Sequence, residues 1–263
     1  MNKIRRGSTV IKKSDNRKIV FIVDKIISER KQKLAILKGL YIRIIEKIPL
    51  TELRVVDRKY VNEYIEETNK NLEKRMYSRK NSYANIKTGK ILHLDGDRRY
   101  MEKSYKYYKK LGLNAIVKFV PEEKQEYIIK DVITRYKPDI LVITGHDGMI
   151  KKGRNYNDIY NYINSKSFAN AVRKAREHEL GKNLVIFAGA CQSYFEALMA
   201  AGANFASSPA RVLIDFADPL IVAEKIATTD SDYYVTINDI ADELRDGKDG
   251  VGGIGARGKK EKK

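Results

Sequence analysis

A chain of 263 residues, 43% hydrophobic and with a formal net charge of +18, carries enough apolar material for a sizeable core. Its single cysteine, Cys191, excludes an internal disulfide and any multi-cysteine metal site. No apolar window is long enough to span a bilayer, and Met1–Lys13 has basic residues with no apolar signal core behind them, so the sequence reads as cytoplasmic.

The charge sits at the ends. Residues 1–80 hold 22 Lys and Arg against 10 Asp and Glu, residues 257–263 hold 5 against 1, and residues 81–256 hold 25 against 23. Basic ends can grip nucleic acid, an anionic surface or an acidic protein, or simply keep a protein in solution. A non-enzymatic basic scaffold for acidic proteins or nucleic acid is therefore the alternative to an enzyme.

Short β-type runs, at Ser8–Ile11, Lys18–Ile26, Lys33–Leu37, Tyr41–Ile45 and Leu53–Val56, are separated by turn-like breaks and predict a small SH3-like β-barrel over residues 1–57. Residues 58–83 are highly charged, with Tyr60, Val61, Tyr64 and Ile65 at helical spacing, and read as a helix running into a linker. Residues 84–249 alternate regularly. Strands are expected at Lys90–Leu94, Leu113–Val120, Asp139–Ile143, Asn183–Phe187 and Asn204–Ala206. Helices are expected over Arg98–Leu111, after Pro121, from Ser165, at Tyr194–Ala201, at Asp218–Ala227 and at Asn238–Leu244. The β-α repetition specifies a mostly parallel sheet covered on both faces. Residues 250–263, with five glycines in Gly250–Gly258 and then lysines, read as a disordered tail.

Sites in open parallel sheets form beyond the carboxyl ends of the strands. Two apolar runs end there in small-residue turns, Thr144-Gly145-His146-Asp147-Gly148 and Ala188-Gly189-Ala190-Cys191-Gln192-Ser193. An imidazole beside a thiol makes a general base with its nucleophile, and a thiol placed between strand and helix gains from the helix N-terminus. His146 and Cys191 are thus the candidate catalytic pair, with the backbone N–H groups of Gly148 and Cys191 as oxyanion donors. His93 and His178 read as structural, and Tyr105 and Tyr108 as packing. No cofactor and no metal are expected, because scattered histidines and one cysteine lack ligand spacing.

Order discriminates among cysteine enzymes. In amidotransferase-like folds the histidine follows the nucleophile, whereas here every histidine precedes Cys191. His then Cys, 45 residues apart, resembles the caspase-like peptidases and implies a caspase-like three-layer sandwich. Together with Leu92-His93-Leu94-Asp95-Gly96-Asp97 and Ala201-Gly202-Ala203-Asn204-Phe205-Ala206-Ser207-Ser208-Pro209, the two turns resemble the YabG family of sporulation-specific proteases of spore-forming Firmicutes. The resemblance implies a cysteine endopeptidase using His146 and Cys191. It would trim spore coat and related spore proteins after basic residues, in the mother cell and at the forming spore. A basic side chain in a desolvated pocket needs a carboxylate. Asp95, Asp97 and Asp147 are candidates, with Ser207 and Ser208 also lining the pocket, and Asp215 and Asp218 lie further along. The oligomeric state is not encoded in any of these motifs.

Overall fold

In the computed structural model, which describes residues 3–15, 19–76, 83, 86–151 and 153–260, the N-terminal strands form an antiparallel sheet of their own. They are β1 (Thr9–Lys12), β2 (Phe21–Glu29), β3 (Gln32–Gly39), β4 (Ile45–Pro49) and β5 (Leu53–Val55), ordered β4-β3-β2-β1-β5, with a 3-10 turn at Leu50–Glu52 before the last strand. Alternation sets the buried face: Phe21 and Val23 of β2 and Ala35 and Leu37 of β3 point inward while their neighbours face outward. The helix α1 (Arg58–Met76) follows. The expected linker falls largely on residues 77–82 and 84–85, outside the described residues, as does the start of the second expected strand at Lys18.

The larger unit contains β6 (Ile91–Asp95), α2 (Arg98–Leu111), β7 (Ala115–Phe119), α3 (Glu122–Tyr136), β8 (Ile140–Thr144), α4 (Ser165–Arg176), β9 (Val185–Ala188), α5 (Phe195–Ala200), β10 (Phe205–Ser207) and α6 (Asp218–Thr228). The short elements β11 (Tyr234–Val235), α7 (Gly247–Gly250), β12 (Val251–Gly253) and β13 (Ala256–Arg257) end it. The sheet order is β12-β10-β9-β8-β6-β7; five strands run parallel and β12 is antiparallel. Strands β6, β8 and β9 are buried along their whole length, which is why β8 and β9 read as near-continuous apolar runs rather than alternations; β6 departs from this by carrying the buried polar residues His93 and Asp95. Tyrosines of α2 and the apolar face of α6 cover one side; Ile129 and Ile133 of α3, Phe168 and Val172 of α4 and Leu198 of α5 cover the other. The fold is therefore α/β, with a mostly parallel sheet and a separate antiparallel one.

Three sequence expectations are corrected. Gly250–Lys260 is not a loose tail. Its strand β12 closes the edge of the large sheet on β10, β13 pairs with β11, and Lys259 and Lys260 donate their N–H groups to Ile226 O (2.8 Å) and Thr229 O (3.0 Å). Glycine is what permits this, since a Cβ on Gly253 would stand 2.2 Å from the Asn204 carbonyl oxygen. Asn238–Leu244 forms two 3-10 turns, Ile237–Asp239 and Ala241–Glu243, rather than a helix. A capping box between Thr236 and Asp239 closes the first, and Ile240 between them leaves helical dihedrals. Finally, Tyr41–Ile45 does not form a strand of the N-terminal sheet: only Ile45 joins it, as the first residue of β4 opposite Lys38, while Tyr41–Ile44 leaves β3 and crosses to the strand ends of the large sheet, forming bridges Ile42–Asp215 and Ile44–Asp147.

Candidate active site

The carboxyl ends of β6, β8, β9 and β10 lie side by side, because these are neighbours in one sheet. Chain order reverses at β6, which has β7 on one side and β8 on the other, so the loops after β6 and β8 part there and leave a crevice. His146 follows β8 and Cys191 follows β9, two adjacent parallel strands in which Ile143 pairs with Ala188. Both residues are fully buried.

The imidazole of His146 stacks on Tyr100, with ring centroids 5.1 Å apart and planes 23° apart. Neither ring nitrogen has a hydrogen-bond partner among the described residues. Nδ1 lies 3.8 Å from Glu122 Oε1 and 3.9 Å from Asp97 Oδ2. Glu122, at the start of α3, also accepts the His146 backbone N–H at 2.8 Å, so the loop and the ring face one carboxylate. Asp97 caps α2 by accepting the N–H groups of Arg99 (2.8 Å) and Tyr100 (3.4 Å) and pairs with the Arg99 guanidinium at 2.7 Å. Although burial opposes ionisation, these partners hold its carboxyl well below the usual range.

The Cys191 thiol donates to Ile214 O and accepts from Ile214 N, both at 3.1 Å. It does not sit on a helix N-terminus: a turn separates it from α5, which starts at Phe195. Burial therefore dominates and pushes the thiol well above its ordinary range.

Asp147 is committed to the architecture. Its Oδ1 accepts the N–H groups of Gly148 and Asn164, both at 2.8 Å, while Oδ2 accepts the hydroxyls of Ser165 and Ser193, the latter at 2.8 Å. Burial raises this carboxyl to about 6 despite the hydrogen bonds. The N–H of Gly148 is thus turned to its neighbour's carboxylate. Two other N–H groups, those of Asp147 and Cys191, converge on a single oxygen, the carbonyl of Arg43, at 3.1 and 3.2 Å. Ser208 Oγ accepts Gln192 N–H at 3.0 Å and donates to Val212 O at 2.6 Å, pinning the loop that follows Cys191. Ser207 is buried beside it with no hydroxyl partner among the described residues. Asp215 and Asp218 accept the N–H groups of Ala217 (2.9 Å) and Arg245 (3.0 Å) around the start of α6.

Asp95 is the candidate acid that meets a fully buried base. Its Oδ2 pairs with Arg43 Nη1 at 2.9 Å, both side chains fully buried, and its Oδ1 accepts Asp97 N–H at 2.9 Å. His93 Nε2 lies 3.5 Å from the same carboxylate. The Arg43 guanidinium, together with these contacts, holds Asp95 below its ordinary range against the effect of burial, while burial lowers the pKa of His93 despite the Asp95 carboxylate beside it. Arg43 also donates to Phe216 O (3.1 Å) and Gly145 O (3.4 Å) and lies 4.9 Å from the Tyr100 ring centroid.

Sequence reading passed over Arg43, Tyr100, Glu122 and Ile214. A signal was present for Arg43, the one charge in Leu40-Tyr41-Ile42-Arg43-Ile44-Ile45, since a cation inside an apolar run needs a buried partner. Glu122 looked like an ordinary first-turn acid, and nothing local distinguishes Ile214. Among the described residues no group of three or more His, Cys, Asp or Glu is arranged to hold a metal ion, and no helix is long and apolar enough to cross a membrane.

Comparison with known proteins bears on this site. The family model described as YabG peptidase U57 matches residues 5–263. The sporulation-specific protease YabG of Bacillus subtilis (strain 168) is 48% identical over 143 residues, covering 54% of this chain and 49% of that protein. The match thus spans about half the length of the curated relative. With the family model covering nearly the whole chain, the chain belongs to the YabG peptidase family.

Proposed function

We propose that the protein is a sporulation-associated cysteine endopeptidase in which Cys191 is the nucleophile and His146 the general base. The observation that carries this reading is the pair of N–H groups, from Asp147 and Cys191, that converge on one carbonyl oxygen between the two strand ends. Two donors of that kind favour an oxygen that becomes negative as a tetrahedral intermediate forms. The oxyanion donors are accordingly Cys191 and Asp147, with Gly148 N–H kept by the Asp147 carboxylate. His146 takes the thiol proton as Sγ bonds to the substrate carbonyl carbon, then gives it to the departing amine as the C–N bond breaks. Water, deprotonated by the same imidazole, attacks the thioester; the C–S bond breaks and the proton returns to sulfur. Glu122 and Asp97 face Nδ1 and favour the imidazolium formed in between.

Specificity for Arg or Lys before the scissile bond fits a pocket floored by Asp95, where a guanidinium also meets the Phe216 and Gly145 carbonyls. The parallel sheet with His and Cys on adjacent strand ends supports a caspase-like sandwich. The meander of β2, β3 and β4, with a 3-10 turn before β5, supports an SH3-like N-terminal unit. Its excess of Lys and Arg suits an anionic partner. The name of the Bacillus subtilis relative, a sporulation-specific protease, supports spore proteins, coat proteins among them, as substrates, met in the mother cell and at the forming spore.

The test is digestion of spore proteins and of short peptides differing only at the residue before the cut, with wild type, Cys191→Ala and His146→Ala, with and without a thiol alkylator. Cleavage after Arg and Lys that the alkylator and both substitutions abolish is expected. Cleavage by Cys191→Ala at the wild-type rate would remove the thiol from the reaction.

A further inference from the structure

Segment Tyr41–Ile45 lies across the candidate site, where it pairs with the loop Ile214–Phe216 that precedes α6. Arg43 N–H donates to Ile214 O at 3.1 Å and Phe216 N–H donates to Tyr41 O at 3.2 Å, an antiparallel pairing centred on the bridge between Ile42 and Asp215. The Arg43 carbonyl takes the N–H groups of Asp147 and Cys191, and its side chain takes Asp95. A loop that merely filled space would need none of these alignments. Here backbone, carbonyl and side chain each meet the group that a bound chain with Arg before the scissile bond would meet.

We propose that Tyr41–Ile45 is an internal substrate mimic that occupies the cleft, so that the folded protein is latent until this segment withdraws, and that an incoming chain then follows the same path. The proposal rests on the functional reading above. Two features explain how the occupant survives in the site. First, the chain after Arg43 is tied down: Ile44 N–H donates to Ile42 O (2.8 Å), Gly39 N–H to Ile44 O (2.9 Å) and Ile45 N–H to Asp147 O (3.0 Å), after which β4 begins. A leaving amine held in place would rejoin rather than depart. Second, the Cys191 thiol is turned to Ile214 and buried, so it stays protonated. Gly148 allows the close contact, because a Cβ there would stand 2.3 Å from the Ile45 carbonyl oxygen. Space for a longer chain exists on both sides. A cavity of about 430 Å³ touches Tyr41 and Ile42, and one of about 740 Å³ runs beside Ile45, Glu46 and Ile48.

The experiment uses the full chain and a short peptide ending in an arginyl chloromethyl ketone, whose reaction with Sγ forms a C–S bond and expels chloride. Cys191 of the wild type should label slowly, and Arg43→Ala should label at least about tenfold faster, as expected when the competent fraction rises from a tenth or less. A synthetic peptide of residues 40–47 should slow labelling of that variant. Arg43→Lys keeps a cation opposite Asp95 but loses the fork to the Phe216 and Gly145 carbonyls; it guards against misfolding of the alanine variant and should show a smaller rise. Hydrogen exchange at Arg43, Asp147, Cys191 and Phe216 reports opening without chemistry. Faster exchange with no labelling or hydrolysis would support occupancy and sink the nucleophile assignment. Both variants, folded by circular dichroism, labelling at the wild-type rate would overturn the proposal. So would wild type and Arg43→Ala hydrolysing a basic peptide equally fast, an outcome that leaves the peptidase reading intact.

Discussion

Asp147 collects four hydrogen bonds from three segments, the turn after β8, the start of α4 and the turn after β9. Burial nevertheless raises its carboxyl from 3.8 to about 6, and the sign of the consequence follows. Between those values the unfolded chain has released its proton while the folded one keeps it, so this group's contribution to stability falls as pH rises from about 4 to about 6. Over that window the loss approaches the order of 3 kcal/mol. Asn at this position keeps Oδ1 for the two N–H groups and has no proton to release. In urea titrations at a series of pH values, the stability of wild type relative to Asp147→Asn should therefore be greatest near pH 4 and shrink toward pH 7. A difference independent of pH would refute the assignment. That Asp147 is an architectural tie could not be read from its place beside His146, because all but one of its partners lie 17 to 46 positions further along the chain.

At the scale of elements, the parallel strands and the helices α2, α3, α4 and α6 were legible because each is long enough to display its periodicity, and α2 and α3 also end at residues in the left-handed region, Gly112 in the case of α2. What was not legible is pairing. Tyr41–Ile45 has the composition of a strand, yet besides its local pairing with Gly39 and Lys38 it pairs with residues 147 and 214–216; no local signal encodes a partner so distant. The glycines of the C-terminal stretch have two readings, chain freedom or close approach, and only the tertiary structure chooses. Close approach predicts that Gly253→Val, forced against the Asn204 carbonyl and Phe205, costs about 1–3 kcal/mol. Ile254→Ala, at a side chain 69% exposed, should stay within about 0.5 kcal/mol. Equal urea midpoints for the two variants would restore the loose-tail reading.

Across the whole molecule, the two sheets share their apolar interior. Val10, Phe21, Leu37 and Ile44 from the N-terminal side form one buried cluster with Cys191, Leu213 and Ile214. Tyr41 and Leu72 join the core beneath α2 and α6. The segment that fills the candidate cleft is thus anchored in the same packing that holds the cleft together, and separating the sheets would bare both. An N-terminal unit built on so few core positions gains much of its stability from that shared surface. One cooperative transition is expected, not two. Leu37→Ala, which empties a fully buried site in β3, should cost about 2–5 kcal/mol. It should also shift the urea midpoint of the α-helical circular dichroism, which reports mainly on the large unit, together with loss of amide protection in β2 and β3. If the helical signal kept its wild-type midpoint while the β2 and β3 amides lost protection, the sheets would be independent, and the N-terminal unit could leave the cleft as a free body.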